Sequence, residues 1–165
     1  MKPEDKPIFD ALSDWQLMGL CIEREAGGES REGRIAVGTV ILERVDHRGW
    51  DGGTIHEVIL MPWQFSWTMP EAESDYYNRS VHMAERWDDV YEKSDSLKQC
   101  AEIAISMLSG AIPRDPNLAA VHCCEYVAGR YRKHMDDHPE EKCNRWWQKM
   151  KLLKVIGNHE FYTAK

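Results

Sequence analysis

Two helices joined by a glycine pair constrain this chain more than any other feature, because the first ends on a carboxylate where its pattern calls for an apolar residue. Trp15, Met18, Ile22 and Glu25 follow one another at spacings of three and four, which puts all four on one helix face. Ser13 with Gln16 gives a capping-box start and Gly27-Gly28 a stop, so the spacing predicts a helix over 13–26. Ser30 can cap a second helix over 31–45, with Glu32 near its positive end. That helix carries Ile35, Gly38, Ile41, Leu42 and Val45, and a glycine inside it predicts the close approach of another helix. Glu25 is then either a surface residue at a frayed helix end or a working acid.

The remaining pattern is mostly helical. Residues 1–12 read as a polar lead-in, 49–53 as a turn and 54–60 as a short helical piece. The proline-bounded aromatic segment 61–70 reads as loop or short strand, and the polar stretch 71–95 holds a helical excursion around 81–91. Leu97, Cys100, Ala101, Ala104, Met107 and Leu108 predict a helix over 96–109, stopped by Gly110 and Pro113. A short apolar run at 119–123 suggests a strand, 129–145 a solvated charged stretch and 144–152 a last helical segment. The tail 155–162 suggests a strand turning at Gly157-Asn158. This is the pattern of a single α+β domain, mainly α, over residues 1–165.

Composition narrows the function. A net charge of −7 argues against a nucleic-acid partner, which calls for a basic patch. Seven tryptophans offer stacking surfaces for sugars as well as core. Five cysteines, an odd number in no disulfide spacing, point to a reducing compartment, with Cys21 and Cys100 packed as small hydrophobes. His122, Cys123, Cys124 and Cys143 could ligate a metal, but Cys-x2-Cys is absent, so neither metal nor cofactor is expected. No run approaches the roughly 20 apolar residues of a membrane span, and residues 1–14 lack the apolar core of a signal peptide.

A carboxyl buried among apolar neighbours at the negative end of a helix has its pKa raised by both effects. Held protonated near neutrality, it suits general-acid cleavage of a glycosidic bond.

The residues around Glu25 also carry a resemblance. Glu25-Ala26-Gly27-Gly28-Glu29, then Glu32-Gly33 and a helix ending Arg44-Val45, resembles the signature of SleB/CwlJ-type cell wall hydrolases, which include spore cortex-lytic enzymes and phage endolysins. The family pattern reads Glu-Ala-Arg-Gly-Glu, a gap, Glu-Gly, and a helix ending Asn-Arg-Val. Gly27 replaces its Arg and Glu43 its Asn. Trp63-Gln64-Phe65-Ser66 is similar to the family's Gln-Phe-Ser segment. Asp115-Pro116 with Ala119-Ala120-Val121-His122 is similar to its Asp-Pro…Ala-Thr-His-Tyr-His, and Ile156-Gly157-Asn158-His159-Glu160-Phe161-Tyr162 to its closing Ile-Gly-Asn-His-x-Phe-Tyr. The matches keep the family's order from about 15 to 162. Segments 71–95 and 129–142 have no counterpart and read as insertions, and Cys123-Cys124 stand where Tyr and His are common.

The resemblance implies a lysozyme-like fold with a groove between two lobes and Glu25 as catalytic acid. The implied substrate is the N-acetylmuramic acid to N-acetylglucosamine bond of peptidoglycan glycan strands. The implied outcome is that of a lytic transglycosylase leaving 1,6-anhydro-muramyl ends. A hydrolytic muramidase and a non-catalytic glycan-binding relative are the alternatives. Glycosidases usually carry a second carboxylate, about 5–9.5 Å away, and Glu29 is the only other one inside the core signature. A transglycosylase needs none. Gln64, Phe65, Ser66, His122, Asn158, His159 and Tyr162 take supporting or groove-lining roles. Trp63 and Trp67 are candidate platforms for pyranose rings, with core packing expected for one of the two. A chain made in the cytoplasm without a signal peptide and acting on the wall fits a phage or prophage endolysin, reaching its substrate through a separate holin-type permeabilising protein.

Overall fold

The computed structural model describes residues 1–47, 53–70, 74–140 and 145–163. Three helices make its centre: α2 (Asp14–Ala26), α3 (Arg31–Asp46) and α7 (Asp95–Leu108). Small residues let them meet closely. A Cβ on Gly19 of α2 would lie 2.9 Å from the Ala101 Cα, and one on Gly38 of α3 would lie 2.7 Å from the Met107 Sδ. Both contacts are with α7, so the glycine inside the second helix marks the helix–helix approach its position predicted. Cys21 and Cys100 are fully buried in the same core. The predicted caps also form. The Ser13 N–H donates to Gln16 Oε1 at 2.9 Å, and the Ser30 Oγ accepts from the Gly33 N–H at 3.3 Å.

Shorter helices close this core: α1 (Lys6–Asp10), α4 (Ile55–Leu60), α5 (Ser74–Glu85) and α6 (Trp87–Lys93). The stretch 1–12 is therefore more than a lead-in. Phe9 and Leu12 are apolar and buried, and the Phe9 ring lies 5.8 Å from that of Trp67. The excursion expected around 81–91 is two helices, α5 and α6, and Trp15 bridges it to α2 through its contacts with Trp87 and Tyr91. Segment 61–70 is a loop with one 3₁₀ turn, η1 (Ser66–Thr68). The turn expected at 49–53 lies, apart from Gly53, outside the described residues.

The second half departs further from expectation. No strand runs over 119–123. Pro116 starts a helical turn, α8 (Pro116–Ala119), because Asp115 Oδ1 accepts the N–H groups of Asn117 and Leu118. The strand comes later, as β1 (Glu125–Ala128). The charged stretch is solvated on one face only. It forms α9 (Gly129–Asp137), with the pairs Arg132–Asp136 and Lys133–Asp137 outside and Met135 buried inside. The last helical segment shrinks to a 3₁₀ turn, η2 (Trp146–Lys149), before the chain extends into β2 (Lys151–Ile156) and β3 (His159–Thr163).

The three strands form one antiparallel sheet in the order β1-β3-β2, with Tyr126 opposite Phe161 and Ile156 opposite His159. Gly157, at φ +56°, makes the predicted turn. Val127, Met135, Trp147 and Tyr162 build a small second core where this sheet meets α9 and η2. The fold is thus an α+β domain with a large helical lobe and a small sheet lobe.

Candidate active site

Between the lobes lies a groove of about 1100 Å³. Its floor is the end of α2, where the helix stops as the Gly27 N–H closes onto the Glu23 carbonyl at 3.0 Å. Loop 61–70 and Tyr76 of α5 contribute to one part of the lining. β1, the β2–β3 turn, α9 and η2 contribute to the rest. The Tyr76 hydroxyl donates to the Arg24 carbonyl, and the Arg24 guanidinium sits 3.7 Å from the Tyr76 ring centre, so α5 braces the end of α2.

Glu25 is half-buried in this lining. The Tyr126 hydroxyl donates to its Oε2 at 2.8 Å. The Tyr126 ring is set by its neighbours on β3, with His159 at 5.3 Å and Phe161 at 5.7 Å. Burial, and then the negative charge of Glu25, hold the Tyr126 hydroxyl well above its ordinary value of 10.0. It is therefore a neutral donor throughout the physiological range. Sequence reasoning missed Tyr126. Its signal was the strand alternation of Glu125-Tyr126-Val127, which becomes legible only once β1 is paired with β3.

Glu125, a second residue that sequence reasoning missed, lines the same groove. Its Oε2 lies 3.6 Å from Nη2 of Arg44, whose Nε donates to the Cys124 carbonyl at 2.7 Å. Burial raises the Glu125 pKa above its ordinary value, and the Arg44 charge opposes the rise.

The expected site residues divide into three groups. Trp63, Gln64, Ser66, Asn158 and His159 reach the groove together with Glu25 and Glu29. Trp63 is 77% exposed, at φ +68°, whereas Trp67 is fully buried, so one tryptophan of the pair faces outward and the other fills the core. Glu29 has a defined role in holding the hairpin. Its Oε1 accepts from the Asn158 Nδ2 at 2.8 Å and its Oε2 from the Asn158 N–H at 3.2 Å.

Phe65 and Tyr162 are buried behind the groove. Phe65 packs 5.2 Å from the Arg44 guanidinium, and the Tyr162 hydroxyl bonds Glu160 and Arg132. His122 is not in the groove. The α8 turn leaves it at φ +50°, and its Nδ1 pairs with the buried Glu43 at 2.9 Å.

Cys123 and Cys124 are buried, and the Cys123 thiol contacts the carbonyls of Glu125 and Tyr162. Cys143 lies outside the described residues. Among the described residues no cluster of three His, Cys, Asp or Glu side chains is placed to hold a metal, and no helix is long and apolar enough to cross a membrane.

The model of one protein family, described as Cell Wall Hydrolase, matches residues 28–162. That match begins three residues after Glu25. Two solved structures share the fold. One is the catalytic domain of the Bacillus cereus SleB protein, at 22% identity and TM-score 0.56, over 91% of this chain and 89% of that one. The other is the catalytic domain of the germination-specific lytic transglycosylase SleB from Bacillus anthracis, at 21% identity and TM-score 0.56, over 93% and 98%. Both support a lysozyme-like architecture. No curated protein matches the chain.

Proposed function

Since the chain belongs to the cell wall hydrolase family, we propose that it cleaves peptidoglycan glycan strands between N-acetylmuramic acid and N-acetylglucosamine, with Glu25 as the proton donor. The observation that carries this reading is the Tyr126–Glu25 hydrogen bond in the lining of a groove of about 1100 Å³ between the lobes. With Oε2 held by Tyr126, the protonated carboxyl of Glu25 delivers its proton to the glycosidic oxygen. The C1–O bond breaks, its electron pair goes to that oxygen, and C1 becomes oxocarbenium-like. The carboxylate left behind is stabilised by the Tyr126 hydroxyl.

In the transglycosylase outcome the muramyl 6-hydroxyl then attacks C1 and its proton passes to the Glu25 carboxylate. No water is consumed, and a 1,6-anhydro end results. One carboxylate is enough for this sequence of steps, and we favour it. Glu125 supports a hydrolytic second reading, in which a second carboxylate in the groove deprotonates a water that attacks C1.

Digestion of purified sacculi tests both. The Glu25→Gln protein is expected to leave turbidity unchanged while the parent clears it. Mass spectrometry of the released muropeptides is expected to show anhydro-muramyl ends. Equal clearing by both proteins removes Glu25 from the mechanism. Reducing muramic ends select hydrolysis, and binding without clearing by the parent selects a non-catalytic glycan-binding relative.

A further inference from the structure

We infer that Tyr131 of α9 and Trp146 of η2 form a sugar-stacking subsite that lengthens the groove beyond the cleavage point. This rests on the glycan-cleaving reading above. The lobe that carries both residues has a core of its own, and Trp147 serves that core, at 3% exposure. Its neighbour Trp146, partly buried against the same core, and the half-exposed Tyr131 both line the groove.

Both rings are held by edge contacts. Tyr131 meets Trp147 at 6.0 Å and 76°, and Trp146 meets Tyr162 at 5.7 Å and 79°. Rings fixed in this way lose little freedom on binding, and an aromatic face partly open to a groove suits the C–H face of a pyranose. Glu25 and both rings line the same groove, which is what a strand of linked pyranoses spanning them requires. Peptide stems fit this wall less well. The guanidinium of Arg132, which would hold a stem carboxylate, is already paired with Glu160 and Tyr162. The subsite therefore selects for strand length, and its rings take part in binding without touching the reacting atoms.

The test uses the Glu25→Gln protein, so that ligand survives, titrated by calorimetry with amidase-stripped, peptide-free glycan di-, tetra- and octasaccharides. Affinity is expected to rise with length. Adding Tyr131→Ala is expected to weaken octasaccharide binding about tenfold and leave the disaccharide within about twofold, while Tyr131→Phe restores the octasaccharide affinity. Trp146→Phe, which keeps a ring against Tyr162, is expected to lose part of the same gain. Unchanged octasaccharide affinity in Tyr131→Ala, or an equal loss at every length, overturns the subsite alone. A loss seen only with peptide-bearing strands overturns it in favour of a stem site. Failure of the Glu25→Gln protein to bind any oligosaccharide overturns the glycan reading itself.

Discussion

Tyr126 donates to Glu25 across 101 residues of sequence, at 2.8 Å, and so joins the end of a helix in one lobe to a strand in the other. Both ends of the bond are fixed independently, one by the Gly27 helix stop and the other by the register that sets Tyr126 against Phe161. The bond favours the charged form of the carboxyl. Tyr126→Phe removes this bond and leaves the ring in place. Loss of this bond to the developing carboxylate is expected to lower kcat on soluble glycan oligomers about tenfold to a hundredfold, with the melting temperature nearly unchanged. An unchanged kcat in Tyr126→Phe removes the tyrosine from the mechanism.

Glu29 acts on the hairpin. Its two bonds to Asn158 tie the residues after α2 to the turn before His159. Glu29→Ala is expected to cost about 1 kcal/mol, since solvent can replace part of what Asn158 loses. Gly157→Ala is expected to cost more, because the turn needs φ +56° and the new Cβ would displace the Glu29 carboxylate. Thermal melts of the two variants and of the double variant check this, with the double variant falling short of the sum. Additive losses separate the two residues.

The helical half of this architecture was legible because each signal in it is local. The Trp15–Glu25 stripe, the Ser13 and Ser30 caps and the Gly38 contact surface all follow from spacings within one turn or two. The sheet half was not. Glu125 and Tyr126 become site residues only through pairing with a strand more than 30 residues later, and no local spacing encodes that register. The run 119–123 looked apolar enough for a strand, but the Asp115–Pro116 cap is a stronger local instruction and it ends in a turn. His122 shows the limit of motif transfer. Its segment resembles the family's pattern, yet its ring nitrogen pairs with Glu43 on α3 and not with any group of the groove lining.

Trp63 combines exposure with backbone strain. A tryptophan at φ +68° costs about 1 kcal/mol or more, and nothing it packs against returns that, because it is 77% exposed. Trp63→Gly relieves the strain and adds the chain entropy of glycine, two terms of similar size. The variant is therefore expected to melt no lower than the parent while its KM on glycan oligomers rises about tenfold. A lower melting temperature with unchanged KM makes Trp63 a structural residue.

Four cysteines share one electrostatic condition. Burial raises the pKa of Cys21 well above, and that of Cys123 above, the ordinary value of 9.0, and it pushes Cys100 up to about 12 and Cys124 to about 11. All four are then thiols at pH 8, and iodoacetamide is expected to label them only after denaturation, as read residue by residue by mass spectrometry. The same shifts set an alkaline limit on stability. In the unfolded chain these thiols ionise near 9, in the folded one later, so the folded state binds more protons between the two values. Stability is whole below pH 9 and falls as pH rises toward about 11 to 12. Rapid native labelling of Cys100 at pH 8 contradicts this picture.

His122 and Glu43 separate the role of a motif position from its placement. The Glu43 carboxylate is 3% exposed and holds Arg114 at 2.7 Å and His122 at 2.9 Å, which anchors the segment before β1 to α3. Removing Glu43 leaves Arg114 without its buried partner, but that guanidinium is 31% exposed and also pairs with Asp46 at 2.6 Å. Glu43→Ala is therefore expected to cost about 2 kcal/mol, below the range for a fully buried pair, with lysis retained at temperatures where the variant is folded. His122→Ala, at an imidazole 74% exposed and outside the groove, is expected to cost less than about 0.5 kcal/mol and to clear sacculi at the parent rate. A His122→Ala protein that folds normally but clears no sacculi returns that histidine to the site and assigns it a function its position in this fold does not explain.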